Sequence, residues 1–137
     1  MNIVLWVTQI LLAAMFLMAG FFKAFQPLDA LGQMIPWTLD APLALVRFIG
    51  VSELLAGIGL IAPPLTGIKP RLTIAAAAGI MLVMVSASIF HLARGEYSYI
   101  IFNLVLLALA AFVAYGRWKV APFKKRENLI NQPLTNE

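Results

Sequence analysis

The chain of 137 residues contains no cysteine, one histidine and six acidic side chains. Without cysteine there is no disulfide framework, thiolate nucleophile, Cys-ligated metal or CxxC redox pair. Charge is scarce in general: 12% of residues carry it, 62% are hydrophobic, and the mean hydropathy is +0.91. A soluble domain this small has too much surface for its volume to hide so many apolar side chains. The composition therefore places the chain in the membrane class, as one domain. The pI of about 9.8 does not make nucleic acid a partner. Five of the ten basic residues fall within Arg117–Arg126, just past the last apolar run, where they read as a membrane-topology signal.

Four apolar runs approach or exceed the ~20 residues a spanning helix needs. They are Ile3–Phe25, Leu43–Ala62, Leu72–Ala93 and the slightly shorter Tyr99–Tyr115. The expected fold is all-α: an integral membrane antiparallel four-helix bundle over residues 1–118, with a basic, disordered cytoplasmic tail over 119–137. Pro63-Pro64 is expected to end the second helix, and Asp40 to cap its start, with Pro42 in the first turn. The first run lacks a basic leader and is too long for the apolar part of a signal peptide, so it reads as a retained helix. Four spans put both termini on one side, together with the loop Pro63–Arg71. Lys69, Arg71, Arg117, Lys119, Lys124, Lys125 and Arg126 gather there, so the positive-inside rule makes both termini cytoplasmic. In the tail, Leu129, Ile130 and Leu134 are the residues that would dip into the interface.

Within this frame Glu53 stands out, because it sits near the middle of a spanning helix. A carboxylate in hydrocarbon costs several kcal/mol by most estimates, so it normally faces a bundle interior or a water-filled cavity. At ~1.5 Å per residue, Glu53 lies roughly 10–15 Å below the outer surface. Lys23 and His91 fall near the outer ends of their helices, and Arg47 and Asn103 about one turn inside. Spacing assigns faces. Gln9, Ala13, Phe16, Gly20 and Lys23 form one stripe, and Ala77, Met81, Met84, Ser88 and His91 another. Gly50, Glu53 and Gly57 share a face whose small residues should pack inward. Arg47 lies about 120° around the helix from Glu53, so Lys23 or His91 is the better partner. The segment Gln26–Ala41 is amphipathic and is expected to lie on the outer surface as a cover for a polar cavity.

Each residue also has a plainer role. Lys23 and Arg47 can snorkel to headgroups, His91 can be a satisfied interfacial donor, and Asn103 can be interhelical glue. Glu53 can belong to a structural ion pair that fixes helix register. One histidine and one buried carboxylate fall short of a metal site.

Three stretches together resemble the DoxX-like family of small four-helix membrane proteins. They are FLMAGFFKAF (Phe16–Phe25), FIGVSELLAGIGLIAP (Phe48–Pro63) and IFHLARGEYSYIIFNLVLL (Ile89–Leu107). The shared pattern is Gly20-x-x-Lys23, Gly50-x-x-Glu53-x-x-x-Gly57 and Phe90-His91. Within that broad family, the nicotinic-receptor assembly chaperone of animals is similar at the same Lys, Glu and His positions. Other relatives are associated with thiosulfate:quinone oxidoreductase subunits and with oxidative-stress membrane complexes. The resemblance implies a multi-pass protein of the bacterial inner membrane and picks out Lys23, Glu53 and His91. It carries no single agreed activity.

Three functions are weighed. In the first, a pocket lined by Glu53, Lys23, His91, Arg47 and Asn103 opens to the outer side. It holds a lipid-like or quinone-like molecule, or a helix of a partner membrane protein, in an accessory or assembly role. Glu53 would accept a hydrogen bond from the ligand, and Lys23 or Arg47 would hold an acidic head. In the second, Glu53 is a general acid or base with His91 as relay, acting on a quinone or isomerising a lipid. In the third, the chain is a structural subunit of a larger complex. Ala75-x-x-x-Gly79 offers a close-packing face within a protomer or between copies in a homo-oligomer.

Overall fold

A computed structural model describes residues 1–124 and is helical over nearly all of them. The elements are α1 (Asn2–Phe25), α2 (Leu28–Met34), a 3-10 turn (Pro36–Leu39), α3 (Leu43–Thr66), α4 (Leu72–Ala93) and α5 (Tyr97–Tyr115), which continues as a π-helical turn at Gly116–Val120. Four helices are long and apolar enough to cross a membrane: α1, α3, α4 and α5 with its π turn. The expected all-α bundle is what forms. Its core is a layer of Leu12, Ala13, Phe16, Leu60, Ala77, Ile80, Met84, Leu106, Ala110 and Val113, drawn from all four long helices.

The tightest seam joins α1 to α3. A Cβ added at Gly20 would stand 2.7 Å from the Gly50 carbonyl oxygen, and one at Gly50 would stand 2.5 Å from the Ala24 nitrogen. These are backbone atoms, so the two helices touch with no side chain between them. Gly57 continues the seam, its Cβ position lying 2.7 Å from Leu17. Without a hydrophobic drive between helices in lipid, this close van der Waals approach is what holds such a pair. It also fixes register: Lys23 follows Gly20 by three residues and Glu53 follows Gly50 by three, and the seam brings the two together.

Some boundaries differ from expectation, each for a physical reason. Helix α3 does not stop at Ala62 but runs through Pro63 and Pro64 to Thr66, ending at Gly67 in the left-handed region (φ 68°). Pro64 has no N–H to give the Leu60 carbonyl four residues back. That carbonyl instead accepts from Gln9 Nε2 at 2.5 Å, so α1 supplies the missing donor. Asp40 does not cap α3, whose N-cap is Pro42 without a side-chain bond. Asp40 pairs with Arg94 instead. The run beginning at Tyr99 is not short, because the helix starts at Tyr97 and its π turn reaches Val120. Lys119 and Val120, the first residues of the expected tail, lie in that turn, and Phe123 packs edge-on against Trp6 at 5.4 Å. The rest of the tail, with Leu129, Ile130 and Leu134, lies outside the described residues. The amphipathic connection folds as α2 and the 3-10 turn, with Leu31 and Thr38 fully buried.

Candidate ligand cavity

At the end of the bundle that carries α2, the four long helices line a partly open cavity of about 710 Å³. Phe16, Phe48, Met84 and Leu106 are among its apolar walls, and Ile35 and Trp37 reach it from the connecting segment. Lys23, Glu53, His91 and Asn103 also line it, one from each long helix, together with Ser86 of α4 and Tyr99 of α5. Arg47 does not.

Each polar group is held differently. Lys23 Nζ donates to both carboxylate oxygens of Glu53, at 2.7 and 2.8 Å, with both residues buried. The pair neutralises itself and pins α1 to α3. Arg47 donates to the Lys23 carbonyl at 2.7 Å and the Gln26 carbonyl at 2.6 Å. These lie at the C-terminal end of α1, where carbonyls lack intrahelical donors and carry the negative end of the dipole. Arg47 thus caps a helix, where the sequence suggested a ligand contact.

His91 Nδ1 meets Glu96 Oε2 at 2.6 Å, and its ring stacks on Tyr99 at 4.6 Å and 13°. Glu96 also accepts from Arg94 Nε at 2.9 Å, and Arg94 Nη2 donates to Asp40 at 2.8 Å. This chain ties the segment after α2 to the α4–α5 loop. The hydrogen bond from His91, then that from Arg94 and its charge, hold the Glu96 carboxyl below its ordinary range against the opposing pull of burial. An ionised carboxylate only accepts, so Nδ1 of His91 carries the proton. In the neutral form of the ring, Nε2 is an acceptor.

Asn103 is the exception. It is 7% exposed, and its Nδ2 is buried without a hydrogen-bond partner among the described residues. An interhelical glue residue would show a partner here.

A second polar cluster lies at the opposite end of the bundle, and sequence reasoning missed it. Arg117, read as a topology charge, is 1% exposed. Its Nε donates to Gln9 Oε1 at 2.8 Å and its Nη1 to Asn2 Oδ1 at 2.6 Å, while the guanidinium sits 4.0 Å from the Phe123 ring centroid. The available signal was Pro64, whose orphaned Leu60 carbonyl demands a donor that only a polar residue on a neighbouring helix can give. Among the described residues, no group of three or more His, Asp or Glu side chains gathers as metal ligands.

The model of the DoxX-like family matches residues 7–113, which include all four cavity residues. No curated protein and no solved structure matches the chain.

Proposed function

The chain belongs to the DoxX-like family, and from that premise and the cavity's geometry we propose that it is an accessory protein of the membrane that holds an amphipathic, lipid-like or quinone-like molecule between its helices. The observation that carries the reading is the convergence of Lys23, Glu53, His91 and Asn103 on one otherwise apolar cavity of about 710 Å³. Concave, mostly apolar sites with a few polar groups are the usual form of small-molecule sites. The roles divide within the site. The Lys23–Glu53 pair balances its own charge and fixes helix register, while His91 and Asn103 face the occupant. By the positive-inside rule the termini lie in the cytoplasm and the cavity in the outer half of a cell membrane.

The test fills the space without touching the ion pair. Ala87 lines the cavity, and Ala87→Phe should displace an occupant. Wild type and variant, purified in mild detergent, are compared by native mass spectrometry. A small molecule carried by wild type and lost from Ala87→Phe supports the reading. An empty wild type, with a variant that is more heat-stable, would sink it, because the cavity would then be a plain packing defect.

A further inference from the structure

We propose that the cavity takes an uncharged long-chain lipid whose head is a hydroxyl, donating to His91 Nε2 and accepting from Asn103 Nδ2. The inference rests on the cavity reading above and assigns the chemistry of its occupant.

Charge is the first argument. Among the described residues, every cation near the cavity is already engaged. Lys23 is bound to Glu53, Arg47 to two carbonyls, and Arg94 to Asp40 and Glu96. A phosphate or ionised carboxylate entering here would be desolvated with no free counter-ion, and that cost is large. The acidic head expected for Lys23 or Arg47 therefore has nowhere to sit.

Hydrogen bonding is the second. His91 is 5% exposed and lines the cavity, and its Nδ1 proton is taken by the Glu96 carboxylate, which leaves Nε2, an acceptor in the neutral form of the ring, for an occupant. Asn103 lines the cavity with an amide whose Nδ2 is buried and has no partner among the described residues. Tyr99 stacks on His91, and Asn103 lies four residues further along the same helix, about 6 Å deeper. One group must therefore give a proton to the shallower site and receive one from the deeper. A hydroxyl does both. A ketone or ester oxygen only accepts, which serves Asn103 and leaves His91 unanswered. Apart from Ser86, whose hydroxyl donates to the Leu82 carbonyl, and Tyr99, the rest of the wall is apolar, so the remainder of the molecule is mostly hydrocarbon.

The experiment uses the full chain in detergent with Trp6→Phe and Trp118→Phe, which leaves Trp37 at the cavity as the single tryptophan. Quenching of Trp37 is titrated with three probes: 9,10-dibromostearyl alcohol, the corresponding acid, and its methyl ester. The alcohol should half-saturate at a concentration about threefold to tenfold below the ester, the value of one net hydrogen bond, and below the acid at neutral pH. His91→Phe should abolish the difference between alcohol and ester. Asn103→Leu should weaken both by a similar factor, and should raise the unfolding temperature of the ligand-free protein by removing an unpartnered amide. Acid binding as tightly as alcohol, or ester equal to alcohol, overturns the hydroxyl assignment while leaving the cavity reading standing. Absence of quenching by all three removes the cavity reading and this inference together. If His91→Phe does not fold, the wild-type ranking and Asn103→Leu decide the matter.

Discussion

The two ends of this bundle both bury polar groups, and they do so in opposite ways. At the terminus end, Gln9, Asn2 and Arg117 close on one another and on the Leu60 carbonyl, with Trp6 and Phe123 packed over the guanidinium. At the α2 end, Lys23 and Glu53 close on one another, but His91 and Asn103 are left facing about 710 Å³ of space. The first arrangement is a plug whose members bond to one another, with Arg117 Nη2 left without a partner among the described residues. The second is a site with hydrogen-bonding capacity left over. Polar residues inside a membrane are expensive, so the leftover capacity is where function is to be sought.

The comparison can be broken or sharpened by substitution, and the largest effect is expected at Glu53. Glu53→Ala leaves Lys23 charged and buried, and should cost about 3–5 kcal/mol in reversible unfolding measured in detergent. The double change Lys23→Met with Glu53→Leu should recover most of that loss while retaining the occupant. If the double variant also loses the co-purified molecule, the pair touches ligand and the division of roles is wrong.

At the plug, Arg117→Ala should cost about 3 kcal/mol by stranding Gln9 Oε1 and opening a void. Binding of the brominated alcohol should be unchanged. A parallel loss of binding would mean that the two ends are coupled.

The glycine seam comes next. Gly50→Ala places a Cβ against α1 backbone and should cost about 1–3 kcal/mol while loosening the cavity floor. Gly79→Ala, whose Cβ meets nothing within 4 Å, should be neutral or stabilise by up to about 1 kcal/mol. Equal effects at the two positions would remove the seam from the account.

The smallest effect is at Glu96. Its folded-state pKa lies below the ordinary value, so its contribution is present above the unfolded value of about 4.3 and is lost as pH falls through the lower folded one. The unfolding temperature of wild type should therefore fall between about pH 4.3 and that value, and Glu96→Gln should flatten this part of the profile. An identical acid limb in both proteins would remove the His91–Glu96 bond from the energetics.

Much of the fold was legible in the chain, because in lipid the backbone must satisfy itself and only helices of bilayer length do so. The runs from Leu43 and from Leu72 start where expected, and the stripes through Lys23 and His91 face inward. The cost of a lone charge called for a cation beside Glu53 and left Lys23 and His91 both open; the glycine seam brings Lys23 there. The bonds of Arg47 to the Lys23 and Gln26 carbonyls were not legible, because no side-chain pattern reveals a carbonyl partner. The burial of Arg117 was not legible, because a basic residue past an apolar run looks the same whether it snorkels or turns back under a π-helical turn. Pro63-Pro64 was read as a stop because the donor that rescues Leu60 sits on another helix, 51 residues away.

By itself, then, the sequence determined that this is a four-span helical membrane protein with a few polar groups on inward faces. Hydrophobic length and helical period are local properties, and a chain carries them openly. Which of those groups satisfy one another was decided only in the tertiary structure. Hydrogen bonding saturates over about 3 Å, and that distance between helices is set by a glycine seam, a borrowed donor and a returning arginine. The same packing that engaged Lys23 and Arg47 left Asn103 Nδ2 without a partner among the described residues, beside a cavity.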